Sequence, residues 1–349
     1  MTTARCGDFR VSYESDSRIF ASPVGRVACA LFLLLAALAP LAASSYQIDL
    51  MSRIGIAVIG AVGLNILTGF AGQISLGHAG FLAVGAYTGA RLTALGLPVV
   101  VTIPGAGLAA AAVGMVFGIP SLRLKGLYLA MATLAAHFII EFVVIRWRSV
   151  TGGTDGIVVD TATLFGFEFD SAAKVFYLIL VIAVVAVLFA RNLFRTRVGR
   201  AFVAIRDRDI SAEVMGIPLF RYKLLAFGVS SFYAGVAGAH LAHQAGIITP
   251  ENFPITVAID YLAMIIIGGL GSVLGSVLGA AFMTLVPDLL RIVATALSGS
   301  FPALIGLIVS LREAVFGLLI IFFLVFEPDG MAARWRTIKA YWKLWPFSY

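Results

Sequence analysis

Residues 72–81 read GQISLGHAGF, placing a glutamine, a serine, a histidine and three glycines inside a strongly apolar part of the chain. Side chains of these types can hydrogen-bond between helices or face a polar cavity, and the glycines let backbones approach closely. Gly69, Gly72, Gly77 and Gly80 also weaken local helix. A broken helix in a bilayer is tolerated only when it is buried in protein or lines a wet cavity. The stretch is therefore either a tight helix contact with a hydrogen-bonding histidine, or a path-lining segment in which Gln73, Ser75 or His78 meets a solute. A plain lipid-facing helix is excluded. No ligand cluster accompanies His78, so a metal site has no support.

Two further places could do acid–base chemistry. His137 and Glu141 lie four apart in MATLAAHFIIEFVVIRW, on one face of a predicted helix. Ionisable groups within such a segment face the bundle interior or an aqueous pathway, which makes proton coupling one reading. Hydration near a helix end is the other. Asp260, near the start of VAIDYLAMIIIGGLGSVLG, poses the same choice. Cys6 and Cys29 suggest neither a disulfide framework nor a metal cluster, and the four histidines show no HExxH spacing.

The elements that position these residues are membrane helices. Of 349 residues 60% are hydrophobic and 12% charged, and the mean hydropathy is +1.01. A soluble domain is about a quarter charged, so the composition belongs to the membrane class. The net charge of +7 is explained by cytoplasmic loops rather than nucleic acid, which is not an expected partner. With roughly 20 apolar residues per crossing, candidate spans fall at about 27–47, 54–72, 74–92, 98–119, 126–145, 172–190, 224–245, 255–270, 271–288 and 312–327. The expected fold is all-α and polytopic, with about ten transmembrane helices. Broken or re-entrant segments are expected at GQISLGHAG, at GGLGS and at Phe301–Ser310, which is too short to cross alone. The run VACALFLLLAALAPLAASS is read as the first span rather than a signal peptide.

Charge sets the orientation. Arg191–Lys223 holds eight basic residues against three acidic ones and is expected in the cytoplasm. Six crossings before it and four after it put both termini inside. The segment 146–171, with Asp155, Asp160, Glu168 and Asp170, then falls outside. This divides the chain into a cytoplasmic lead (1–26), a transmembrane domain (27–330) and a cytoplasmic tail (331–349). Within the loop, GRAFVAIRDRDISAEVMG is expected to form a short helix stopped by Gly216 and Pro218. Such a helix is marginal alone in water and must lie against something: the bundle's own helix ends, anionic lipid or a soluble partner. No GxxxxGK[ST] occurs, so any nucleotide that drives this chain is hydrolysed by another polypeptide.

NILTGFAGQISLGHAGFLAVGAYTGA at 65–90, TGGTDGI at 151–157, GRAFVAIRDRDISAEVMGI at 199–217, IDYLAMIIIGGLGSVLG at 259–275 and FEPDG at 326–330 run in one order along the chain. In these pieces the sequence resembles the inner-membrane permease subunits of branched-chain amino acid ABC importers, particularly the larger of the two permeases. The resemblance implies a non-enzymatic subunit in a bacterial inner membrane. Its implied partners are a second, homologous permease in a heterodimer, two ATPase subunits and a periplasmic or extracellular substrate-binding protein. No cofactor is implied in this chain; ATP and Mg belong to the ATPases. The solute implied is a branched-chain amino acid, or else urea, a short amide or a small organic acid. By the same resemblance Gln73, Ser75, Gly77, His78 and Phe81 belong to the permease core or solute path, while Arg200, Ile205, Arg206, Glu213 and Gly216 lie at or near the ATPase coupling contact. A reading from another class is a proton-coupled secondary transporter using His137, Glu141 or Asp260. Asp260 stands where relatives often have glutamate.

Overall fold

The computed structural model describes residues 23–121, 124, 126–164, 166–297 and 303–344. The lead before Pro23 lies outside these. The apolar segments resolve into α1 (Pro23–Ala42), α2 (Ser45–Asn65), α3 (His78–Ala94), α4 (Val99–Ser121), α5 (Leu127–Arg146), α6 (Ala172–Leu193), α7 (Arg197–Asp207), α8 (Asp209–Val214), α9 (Leu219–Ala245), α10 (Ile255–Gly268), α11 (Val273–Leu297), α12 (Ala303–Phe326) and α13 (Gly330–Leu344). Four two-residue strands and short helical turns at Ile66–Phe70, Arg148–Thr151, Gly153–Asp155 and Pro250–Asn252 are also present. β1 (Ile157–Val158) pairs antiparallel with β4 (Ile247–Ile248), and β2 (Thr163–Leu164) with β3 (Phe167–Glu168).

The expectation of ten spans is too high. Among the described residues seven helices are long and apolar enough to cross a membrane, or eight if the bent pair at residues 314–341 counts as one span. The windows at 27–47 and 74–92 fail on length. The first ends early because Ser44, in a capping box with Gln47, starts a new helix. The second loses its start to a break before His78, which leaves a 17-residue helix. Phe301–Ser310 is no re-entrant piece either, since from Ala303 onward it is the beginning of the continuous α12.

The core gathers around α9, which packs on α2, α3 and α4. Small residues make this possible. A Cβ built on Gly85 of α3 would stand 2.3 Å from the Cα of Gly235 in α9. Lipid is as apolar as leucine, so such close backbone packing replaces the hydrophobic drive that folds soluble bundles. The large apolar side chains left exposed, among them Leu34, Val116, Phe142, Val185 and Leu318, stud the outer helices. They suit a lipid or subunit surface.

The bundle has a basic end and an acidic end. At the acidic end Arg91 of α3 donates to the Ser149 and Val150 carbonyls, and Thr151 donates to the Val144 and Trp147 carbonyls. These bonds seat the TGGTDG turn, which β1 then ties to the end of α9. The Lys174 ammonium, hydrogen-bonded to Asp170, holds that exposed carboxyl below the usual carboxylate range. At the basic end, α7 and α8 lie across the ends of α2, α9 and the α10–α11 connection.

Replacing Gly85 by alanine should destabilise the protein in detergent by about 3 kcal/mol, because backbone cannot yield to the added methyl. Gly317→Ala, with no atom within 4 Å of the new Cβ, should leave the melting temperature unchanged. Equal melting temperatures for the two variants would refute the packing account.

Candidate functional site: a junction of helix breaks at the basic end

The α2 helix does not stop at Asn65 but widens into a π-turn over Ile66–Phe70. There the Ala71 N–H reaches the Ile66 carbonyl at 3.2 Å and the Gln73 N–H reaches the Leu67 carbonyl at 3.0 Å. The chain then reverses at Gly72, whose φ of +69° few other residues adopt. A Cβ there would also meet Arg206 at about 3.1 Å. Between Gly72 and His78 the backbone is irregular, and its polar groups find partners inside the protein. Thr68 Oγ1 donates to the Gln73 carbonyl at 3.2 Å, the Leu76 N–H to Thr133 Oγ1 at 2.9 Å, and the Gly77 N–H to Ser75 Oγ at 3.3 Å.

The residues expected in the permease core are buried together. Gln73, Ser75, His78 and Phe81 are each at most 4% exposed. Gln73 Nε2 donates to the Lys223 carbonyl at 3.5 Å, and Gly77 packs on the Thr133 carbonyl. His78 opens α3 with its ring edge-on to Tyr261, centroids 5.0 Å apart. Its Nε2 has no hydrogen-bond partner. The break is thus closely packed, with one imidazole nitrogen left unsatisfied.

A second break, Gly269–Ser272 between α10 and α11, packs directly on the first. Asn65 joins them, donating through Nδ2 to the Ser272 carbonyl at 3.0 Å and to Ser276 Oγ at 2.6 Å, and accepting at Oδ1 from the Gly271 N–H at 2.9 Å. Gly330 of FEPDG presses on Gly269, with 2.5 Å from a Cβ there to the Gly269 nitrogen, and Arg334 pairs with Glu327. Four of the sequence pieces, far apart in the chain, meet here.

The loop at 199–217 is two helices rather than the expected one. Arg208 is extended (φ −156°, ψ 97°) and separates α7 from α8. Thr196 caps α7 by accepting from the Gly199 N–H. Gly216 ends α8, its N–H on the Glu213 carbonyl and that of Ile217 on Ala212. Phe202 and Ile205 are buried against the bundle, at 0% and 5% exposure. Arg206 lies at the surface, its side chain 37% exposed, but its Nη1 reaches in and donates to the Gly69 carbonyl at 3.0 Å. Arg200 donates to the Arg195 carbonyl at 3.1 Å and, with Glu213 and Gly216, lies at the exposed surface. Lys223 approaches Asp209 at 3.6 Å and ties α8 to α9. The residues that α8 offers outward are Ile210, Val214 and Met215, at 71%, 83% and 82% exposure.

Of the acid–base candidates, the His137–Glu141 pair lies one turn along α5 from Thr133, with His137 packed on Gly80 of α3. His137 Nε2 lies 3.8 Å from Glu141 Oε2, as the four-residue spacing implies. With Gly80, Ile140, Val144 and Phe253 they line a small cleft. Asp260 is half-buried on α10. Among the described residues no three His, Cys, Asp or Glu side chains gather as a metal site.

A helical bundle of this span content, with paired helix breaks at one end, is a polytopic inner-membrane protein. Residues 46–324 match the family described as branched-chain amino acid transport system / permease component, and the chain belongs to that family. It is 35% identical over 284 residues to the high-affinity branched-chain amino acid transport system permease protein LivM of Escherichia coli, covering 74% of this chain and 67% of the relative. The probable LivM protein of Methanocaldococcus jannaschii is 26% identical over 226 residues, 63% of this chain and 64% of the relative. The fructose import permease protein FruG of Bifidobacterium longum is 28% identical over 311 residues, 83% of each. No solved structure matches the chain. As a member of a permease family, the chain is a transport subunit rather than an enzyme.

Asn65 was missed in the sequence, although a lone amide inside GAVGLNILTG was the available signal. Asn65→Leu should cost about 2 kcal/mol, since it strands the Gly271 N–H and takes from Ser276 Oγ the donor it accepts from. Ser276→Ala, which removes one partner only, should cost about 1 kcal/mol. Denaturation in detergent measures both, and an Asn65→Leu protein as stable as wild type would contradict the junction.

Proposed function

We propose that this chain is the larger permease subunit of an ATP-driven importer for branched-chain amino acids or a related small polar solute. It works by alternating access, with residues 27–330 as the permease and both termini in the cytoplasm. Its partners are a homologous permease, two ATPase subunits and an external binding protein that delivers the solute. The observation behind this reading is a continuous link. An exposed apolar face on α8 is joined through α7 to two helix breaks, in a chain with no phosphate-binding loop of its own. ATPase closure pushes α8, and the bundle turns its cavity from one membrane face to the other. Gln73, Ser75, Gly77, His78 and Phe81 form the moving core.

The mostly apolar side of α8 refines the coupling contact. Ile210, Val214 and Met215, flanked by Arg200, Glu213 and Gly216, meet the ATPase. Ile205 faces the permease. Several solutes suit such a subunit, because external binding proteins do the selecting; the likeness to a fructose permease fits a family of varied cargo. The His137–Glu141 pair supports a second reading, proton-coupled transport.

Reconstitution separates the two. With ATPases and binding protein present, uptake should require ATP and should persist in Glu141→Gln. Uptake driven by a pH gradient without ATP would support the second reading instead. Val214→Glu with Met215→Glu should abolish co-purification of the ATPases while leaving the permease pair folded. Full retention of the ATPases would remove α8 as the contact.

A further inference from the structure

We infer that Arg206 is a transmission strut, a positioning residue that carries movement of α7 and α8 into both helix breaks, and not part of the ATPase contact. The inference rests on the importer reading above and concerns how the push reaches the core.

Its basis is an unsatisfied backbone group. In a regular α-helix the Gly69 carbonyl would accept from the Gln73 N–H four residues on. The helix ends at Gly72, whose positive φ turns that N–H back to the Leu67 carbonyl instead, at 3.0 Å. Gly69 is left at the end of a buried helix with a free acceptor, and such groups need a partner inside the protein. Arg206 Nη1 supplies it at 3.0 Å. The guanidinium is oriented by Asp207, whose Oδ1 accepts from Nε at 2.9 Å and lies 2.9 Å from Nη2.

The side chain is also clamped by packing. Its Cγ and Cα lie 3.1 Å and 3.2 Å from where a Gly72 Cβ would stand, and its Nη1 lies 2.8 Å from where a Gly271 Cβ would stand. Arg206 is therefore wedged between the first break and the second. Phe70, at the end of the π-turn, stacks on Phe194 just before α7, centroids 3.4 Å apart. Phe202, on the same helix as Arg206, meets Tyr222 of α9 edge-on at 6.4 Å. Displacement of α7 cannot leave Gly69 and Gly271 behind without breaking this set of contacts. Glycine at 72 and 271 supplies the room that the arginine needs.

The test uses the whole complex in proteoliposomes, with ATPases and binding protein, and compares Arg206→Ala, Arg206→Gln and Arg206→Lys with wild type. Wild-type uptake that requires ATP must come first; its absence would overturn the importer reading and leave the strut unsupported with it. Given that uptake, the variants should keep both ATPases bound and keep basal ATP hydrolysis. Solute imported per ATP should fall about tenfold in Arg206→Ala, within the usual range of coupling between sites. Arg206→Lys, which keeps one charged donor but not the fork, should lie between. A merely structural role would lower the melting temperature without changing solute per ATP. Loss of the ATPases from assembled variants would mean a docking residue. Unchanged solute per ATP in a folded Arg206→Lys or Arg206→Gln complex would overturn the strut, even if Arg206→Ala fails to fold.

Discussion

Everything in this structure depends on one constraint: where a helix breaks inside the packed bundle, the freed backbone groups that are buried must find partners within the protein. Each buried N–H or carbonyl left without a partner costs about 1–3 kcal/mol. The chain breaks α2 from α3 and α10 from α11, and it answers both breaks locally. Asn65, Thr68, Ser75, Thr133 and Arg206 each satisfy one or more of the freed groups. Because some of these partners come from other helices, the breaks are fastened to each other and to the loop at 199–217. Satisfying the backbone and wiring the molecule are the same act.

That wiring divides the molecule into parts with different freedom. The α3–α9–α4 contact is backbone against backbone, and it has little room to deform. The α7–α8 pair is shorter and rests on a few side chains, with an extended residue, Arg208, between its halves. Force applied at α8 therefore enters through Asp209–Lys223, Phe202 and Arg206 before it meets the stiff core. A transporter needs this combination: a rigid unit to rock, and a compact contact through which to rock it.

Much of this was legible in the sequence, for physical reasons that particular residues show. Composition gave the membrane class, since nothing soluble carries so few charges. Glycine clustered with polar residues located both breaks, because glycine at positive φ turns the chain where helix ends, as Gly72, Gly269 and Gly271 do. The four-residue spacing of His137 and Glu141 placed them together. Span counting failed where hydropathy windows are blind. Ser44 splits one apolar run by capping, and the break before His78 shortens another. The inward turn of Ile205 and the inward reach of Arg206 were also hidden, because a loop rich in charge looks uniformly solvated until it has a floor to lie on. Thr133 and Asn65 are single polar residues in apolar runs, and only their distant partners reveal their work.

The central claim is that the coupling helices and the first break move as one body. Spin labels at Ile74 and Ile210, both exposed, would read it directly in the assembled complex, with the native Cys6 and Cys29 replaced. The account predicts that the Ile74–Ile210 distance stays fixed between the nucleotide-free and ATP-trapped states, while the distance from Ile210 to Leu95 at the acidic end changes. A shift between Ile74 and Ile210 on ATP binding, with Ile210 to Leu95 unchanged, would contradict it.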